Sequence, residues 1–291
     1  MNAKYLILFN PESGNRTAKQ KVYDLDDILA NNEKANNELT YVEMTPDFDY
    51  KKFMHDVHDD ERVVLCGGDG TVNRFVNEVD EDDLRKPVFY FPLGSGNDFN
   101  RDVHGKLDNT LINLNNYITN LPVVNVNGRT QKFINGIGYG IDGWCCEMGD
   151  KIREKDNTKP INYTPIAVKG ALFQYKKTNA KITVDGKEYT YKDVFLASTM
   201  KGRFYGGGMM AAPDQDRNDP EHKVSVLVFR GKIRLQVLMV FSKIFTGEHL
   251  RNKKMCILHT GKDIKVEFDS PRSLQIDGET VLGVKEYTVK A

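Results

Sequence analysis

The chain has 291 residues with 41 basic and 41 acidic side chains, so its formal charge is zero and nothing global draws it to nucleic acid. Hydrophobic residues make up 40% and charged ones 28%, which excludes a disordered chain, and no apolar run approaches the ~20 residues that cross a bilayer. The length favours two domains, and without a signal-peptide core or a membrane span the chain is expected in the cytoplasm.

The first stretch alternates short apolar runs with helix-like segments, the pattern that builds parallel sheets through crossover connections. Strands are expected at residues 5–9, 39–44, 62–66 and 87–91, with helices at 16–30, 50–57 and 72–79 between them. In the first helix Val22, Leu25, Ile28 and Leu29 recur at the spacing of one buried face. From about residue 122 the strands come closer together, at 123–126, 131–135, 180–184, 187–191, 194–198, 223–229, 255–259, 264–268, 273–276 and 286–290. Helices are expected at 164–177 and 233–245. Asp185-Gly186 between two alternating runs marks a hairpin. The expected architecture is an α/β nucleotide-binding domain with a parallel sheet, residues 1–122. A mostly antiparallel β-rich domain follows, a sandwich or flattened barrel at 123–291.

Three of the early strands run into loops of small polar residues: Asn10-Pro11-Glu12-Ser13-Gly14, Gly67-Gly68-Asp69-Gly70-Thr71 and Gly94-Ser95-Gly96-Asn97-Asp98. In an open α/β sheet such loops gather at the carboxyl edge, where ligands bind. The second lies between a strand and a helix, so backbone amides and the helix N-terminus point at one place, as a phosphate requires. Glycines there allow positive φ and close backbone approach, and Asp69 suits a magnesium ion or its waters. There is no G-x-x-x-x-G-K-[ST], so the phosphate charge falls to Mg²⁺, amides and Arg16, Lys19 or Arg101.

Asp214 to Asp219 places oxygen ligands at alternate positions, as in the first half of a calcium loop, but lacks the glycine and glutamate of the second half. Metal binding through Asp216 and Asp219 and a solvated acidic loop both fit. Gly138-Tyr-Gly-Ile-Asp-Gly143 matches the dinucleotide fingerprint formally, yet no acidic residue ends a second strand about 20 positions on, and a flexible crossover is expected instead. The 233–245 stretch is more apolar than one core face needs; a buried helix and a lipid- or membrane-facing one are both open. Cys66, Cys145, Cys146 and Cys256 form no C-x-x-C pair and are expected reduced.

Asn10-Pro-x-Ser-Gly14, Gly67-Gly-Asp-Gly-Thr71, Pro92-Leu-Gly-Ser-Gly-Asn-Asp-Phe99, Gly206-Gly-Gly-Met209 and Ile276-Asp-Gly-Glu279, in that order, resemble the diacylglycerol kinase catalytic domain family. That family also contains sphingosine, ceramide and bacterial lipid kinases. The resemblance implies an ATP-dependent lipid kinase with Mg²⁺, acting on a lipid substrate at the membrane surface. It implies that Asn10, Pro11, Ser13, Gly14, Thr45, Gly67 to Thr71, Asn73, Ser95, Gly96, Asn97 and Asp98 line the nucleotide site. Asp277 stands at the general-base position with Glu279 beside it, and Asp219 matches the acidic residue of a structural magnesium site. Arg74 and Lys201 depart from the family's usual glutamate and asparagine. Other acceptors on the same scaffold, namely sphingoid base, monoacylglycerol or NAD, and a non-catalytic nucleotide-binding regulator are the rival readings. No nucleic-acid partner is expected, and a homodimer stays open.

Overall fold

The computed structural model describes residues 3–11, 13, 21–23, 25, 28–29, 37–156 and 161–291. They fall into two compact units, Met1–Thr119 and Asn120–Ala291.

In the first unit the sheet has the order β2-β1-β3-β4-β5. Its strands are β1 (Lys4–Phe9), β2 (Glu38–Glu43), β3 (Glu61–Gly67), β4 (Val88–Pro92) and β5 (Ile112–Asn113). The first four are mutually parallel and β5 runs antiparallel to β4. Ile7, Leu8, Val63, Val64, Leu65 and Cys66 are completely buried, as expected where successive side chains point to opposite faces and both faces are covered. Between the strands lie α1 (Tyr50–Asp56), α2 (Asp69–Glu78), α3 (Asp98–His104) and α4 (Asn115–Ile118). Asp49 starts α1 by accepting from the Lys52 amide at 2.9 Å. Of the helix expected at 16–30, residues 16–20, 24, 26–27 and 30 lie outside the described residues, while Val22, Leu25 and Leu29 are buried in the core shared with β1. The chain steps from β1 to β2 on one side and then crosses to β3 on the other. The order therefore reverses between β1 and β3, the place where open α/β sheets bind ligands.

In the second unit every strand pairing is antiparallel. Its elements are β6 (Val123–Val126), β7 (Arg129–Lys132), β8 (Gly136–Gly140), α5 (Ile141–Arg153), α6 (Tyr163–Lys169), β9 (Thr178–Val184), β10 (Lys187–Met200), β11 (Phe204–Tyr205), β12 (Met209–Met210), β13 (Val224–Arg230), α7 (Arg234–Phe241), β14 (Cys256–Gly261), β15 (Asp263–Ile276) and β16 (Glu279–Lys290). The sheet order is β14-β13-β10-β8-β15-β16-β6-β7, and β9 pairs with both β10 and β15. Strands β10, β8, β15 and β9 thus close a small barrel. Strands β10 and β15 are long enough to pair with β9 at one end and β8 at the other, and each bends through a register shift, at 191–196 and 267–274 respectively. Tyr139 stacks on Phe268 with ring centroids 3.8 Å apart inside this core. Asp185 and Gly186 both take positive φ, 47° and 80°, which makes the expected hairpin turn.

Several sequence expectations are corrected. The strands expected at 187–191 and 194–198 are one strand, as are those at 264–268 and 273–276, because bulges interrupt the pattern without ending the pairing. Residues 138–143 are not a flexible crossover: they join the central strand β8 to the thirteen-residue helix α5. The helix expected at 164–177 is α6 followed by a π-helical turn, Gly170–Gln174, and that at 233–245 is α7 followed by a 3₁₀ turn, Ser242–Thr246. Among the described residues no helix is long and apolar enough to cross a membrane.

Candidate active site

The three small-residue loops leave the carboxyl ends of β1, β3 and β4, which are neighbours in the sheet. The Asn10 amide reaches the Cys66 carbonyl at 3.4 Å, and the Ser13 amide closes a turn onto the Asn10 carbonyl at 3.1 Å. The Gly67 carbonyl accepts from the Leu93 and Gly94 amides, at 2.8 and 3.2 Å, and from the Tyr90 hydroxyl at 3.1 Å. The sequence allowed the glycines of the Gly67–Thr71 loop either positive φ or close backbone approach; none of Gly67, Gly68, Gly70 and Gly94 adopts positive φ. Close approach explains two of them instead. A Cβ on Gly94 would lie 2.5 Å from the Gly68 Cα and 2.6 Å from Asn97 Oδ1. The left-handed residue of that loop is Asn97, at φ 51°, whose side-chain amide holds the Gly94 carbonyl at 2.8 Å.

Helix α2 starts at Asp69 with Gly68 as its cap residue and no side chain closing it, and among the described residues a Cβ on Gly70 would meet nothing within 4 Å. The helix start is open, with its dipole directed outward. Thr71 folds its hydroxyl over Gly67, and Asn73 is buried one turn on, accepting from the Asn77 side chain. Asp69 is engaged locally: its two oxygens accept from the Asp98 and Phe99 amides, each at 2.9 Å, so it caps α3. Asp98 is buried in the first turn of that helix, while Ser95 is exposed at the loop tip and Gly96 half-buried. Thr45 is exposed just past β2. Gly14, Arg16 and Lys19 lie outside the described residues. The departure at Arg74 has a structural account: its guanidinium bonds Glu78 at 2.5 Å and the carbonyls of Pro46 and Phe48 at 2.9 and 2.8 Å, tying the loop that carries Thr45 to α2.

In the second unit Asp277 and Gly278 form the turn between β15 and β16, at φ 47° and 99°. The Asp277 carboxylate accepts from three successive amides: Ile134 at 2.6 Å, and Asn135 and Gly136 at 2.9 Å each. These bonds fix its direction more firmly than a surface turn would need. Glu279 is exposed beside it.

Sequence reasoning missed Asp142. It sits at the start of α5, half-buried, accepting from Gln275 Nε2 at 2.8 Å, while Gln275 Oε1 accepts the Gly278 amide at 2.6 Å. A polar chain therefore links Asp142 to the turn of Asp277. Farther along the same helix Glu147 accepts from the Ser273 hydroxyl, and Asp150 accepts from that of Thr280 at 2.6 Å. Gly143 lets the helix lie flush on β15, because a Cβ there would be 2.3 Å from the Ser273 carbonyl oxygen. The available signal was an acid among Gly138, Gly140 and Gly143, which the dinucleotide-like spacing disguised. The Gly206-Gly-Gly208 segment, all at positive φ, comes within 4.0 Å of this carboxylate, measured from the Cβ that Gly206 lacks.

Burial pushes the Asp142 carboxyl up from the ordinary 3.8 to about 6, with the Gln275 hydrogen bond opposing. The folded protein then holds this proton more tightly than the unfolded chain, so the group's stabilising contribution is full below pH ~4 and lost as pH rises to ~6. Asp142→Asn removes that loss. Relative to wild type the variant is expected to gain stability as pH rises across this window, by at most about 3 kcal/mol. Urea unfolding of both proteins at several pH values measures it, and a difference that does not vary with pH sinks the assignment.

The acidic loop is organised by its own carboxylates. Asp216 accepts from the Asn218 amide at 2.8 Å, and Asp219 from those of Glu221 and Lys223 at 3.1 and 3.0 Å. The neighbouring cations are built in: Lys201 is buried, and the buried Arg217 bonds the Ile134 carbonyl at 2.5 Å and Asn135 Oδ1 at 2.9 Å. Among the described residues no three His, Cys, Asp or Glu side chains converge as a metal site would require. Asp216 and Asp219 thus commit oxygens to the loop's own amides, with the buried cations Lys201 and Arg217 beside them. The melting temperature is expected to be unmoved by EDTA or added Mg²⁺ in the absence of nucleotide, since a bound ion would stabilise the fold by mass action. A rise with Mg²⁺ that Asp219→Asn abolishes would contradict this.

Comparison with known proteins agrees with the two halves of this geometry. The family "Diacylglycerol kinase catalytic domain" matches residues 4–124, and "YegS C-terminal NAD kinase beta sandwich-like domain" matches residues 135–289. A Staphylococcus aureus (strain JH9) protein named "Putative lipid kinase" is 24% identical over 306 aligned residues, covering 97% of this chain and 96% of that one. The fold is similar to that of two crystal structures from Bacillus anthracis str. Sterne. One, of "a putative diacylglycerol kinase", has a TM-score of 0.69 at 19% identity, covering 99% of this chain and 93% of that chain. The other, of "a diacylglycerol kinases", has a TM-score of 0.67 at the same identity and coverage. With both domain families matched in order, the chain belongs to the diacylglycerol kinase catalytic domain family and carries the YegS-type β-rich C-terminal domain.

Proposed function

We propose that this protein is an ATP-dependent kinase that phosphorylates the hydroxyl of diacylglycerol or a related lipid, giving a phosphatidate-type product. Membership of a kinase family implies ATP as the phosphate donor. The observation that carries the reading is the cluster of three small-residue loops at the point where the sheet order reverses, beside the open start of α2. There the amides of Gly68 to Gly70 receive phosphate oxygens, Asn10, Ser13, Ser95 and Gly96 line the approach, and Thr45 faces the nucleotide. Mg²⁺ carried with the nucleotide supplies charge neutralisation on the β- and γ-phosphates.

Asp277, held in one direction by three amides, takes the proton of the lipid hydroxyl as that oxygen attacks the γ-phosphorus; the bond to the β,γ-bridging oxygen breaks and ADP leaves. Glu279 lies next to it and supports the same negative pole. The deciding experiment incubates purified protein with labelled ATP, Mg²⁺ and, separately, diacylglycerol, monoacylglycerol, sphingosine, ceramide and NAD. Labelled phosphatidate from diacylglycerol is the expected result. Label incorporated only into NAD, or into none of the acceptors, refutes the reading.

A further inference from the structure

Two stretches of the β-rich unit, residues 161–177 and 231–247, contain no acidic residue, although acids and bases balance over the whole chain. They carry Lys169, Lys176, Lys177, Lys232, Arg234 and Lys243. The two stretches are joined. Arg234 donates to the Ala171 and Tyr175 carbonyls at 2.7 and 2.9 Å, and Lys177 Nζ donates to the Lys232 carbonyl at 3.2 Å. Helix α7 and its following turn bury Val237 and Ile244 against the core that also holds Ala171 and Tyr175.

What faces away from that core is unusual for a surface helix, which normally turns polar residues to water. Leu235 and Met239, one helical turn apart, are 61% and 55% exposed, Ile233 and Phe245 flank them at 55% and 53%, and Phe173 on the adjoining π-helical turn is 76% exposed. After Arg234 the helix has no charged residue. Lysines flank these apolar residues along both stretches, and Asp193 is paired with Lys177 at 2.7 Å. Among the described residues Lys169, Lys176 and Lys243 form no ion pair.

We infer that this face docks on the surface of an anionic phospholipid bilayer, with Phe173, Leu235 and Met239 entering the boundary between headgroups and acyl chains. Lys169, Lys176, Lys232 and Lys243 then meet lipid phosphates. Charge complementarity selects this occupant: a second copy of the chain would bring lysine against lysine, whereas anionic lipid supplies the missing negative charge. With no membrane-crossing helix among the described residues, the attachment is interfacial, of the kind that combines buried apolar side chains with basic flanks. The inference deepens the lipid-kinase reading and rests on it for its purpose, but its test needs no turnover.

Cosedimentation without ATP, using vesicles of phosphatidylcholine alone or with about a third phosphatidylglycerol, measures docking directly. Wild type is expected to bind the mixed vesicles, less so at high salt. Phe173→Gln/Leu235→Gln and Lys169→Gln/Lys232→Gln/Lys243→Gln are each expected to bind at least about tenfold more weakly. Both variants should unfold as wild type does and keep its turnover on dispersed short-chain diacylglycerol. Wild type that stays in the supernatant, variants that bind as wild type does, or a dimer that Phe173→Gln/Leu235→Gln splits would each overturn the inference. Vesicle binding without turnover on any acceptor would leave docking standing and refute the kinase reading, so the two failures are distinguishable.

Discussion

Gly70→Ala is expected to leave the parallel-sheet unit folded and to weaken ATP binding by at least about tenfold, because its Cβ would occupy the space that phosphate oxygens need. Among the described residues nothing explains a glycine here. The position lies in the first turn of α2, its φ is not positive, and an added Cβ meets no atom within 4 Å. By the fold alone alanine should be neutral or stabilising by about 0.4–1 kcal/mol. Gly94→Ala is the contrasting control. There the Cβ would press on the Gly68 backbone at 2.5 Å, which cannot rotate away as a side-chain tip can, so about 1–3 kcal/mol of stability is expected to go together with nucleotide binding. Calorimetric titration with ATP beside thermal unfolding separates the two effects. Undiminished ATP affinity in Gly70→Ala would show that the loop cluster is not the phosphate site.

Asp277→Asn is expected to lower turnover by roughly 10²–10⁴-fold while ATP affinity is retained. The geometry also predicts a structural cost. An asparagine oxygen can still accept from Asn135 and Gly136, but its NH₂ then faces the Ile134 amide and leaves that donor without an acceptor, at about 1–3 kcal/mol. A turnover loss caused merely by a loosened hairpin should be reproduced by Thr280→Ala, which removes the same hairpin's 2.6 Å bond to Asp150 of α5 and leaves Asp277 in place. Steady-state kinetics on all three proteins decides: equal losses in Asp277→Asn and Thr280→Ala would remove Asp277 from the chemistry.

Local patterns made much of the first unit legible. Short apolar runs ending in Asn10, Gly67 and Gly94 identify strands that stop at small polar loops, and the loops indeed leave three adjacent strands. The same local view left positive φ and close approach both open for the glycines, because a contact such as Gly68 against Gly94 joins residues that follow different strands. It also left Asp69 without its partners, because the Asp98 and Phe99 amides that hold its carboxylate belong to α3. In the second unit Gly138 to Gly143 satisfied a familiar spacing, and that spacing concealed both the start of α5 and Asp142.

By itself the sequence determined the kind of element at most positions, the turn at Asp185-Gly186 and the five motifs that carry the family resemblance, since each depends on residues near one another in the chain. Only the tertiary structure decided that β9 bridges β10 and β15 to close a barrel. It alone showed that Asp277 is held by the amides of residues 134–136, and that two acid-free stretches 70 positions apart share one basic, apolar face. The physical reason is the same in each case. Propensity and periodicity act over a few residues, whereas strand closure, carboxylate direction and a docking face arise from pairings between segments that the chain brings together only when it folds.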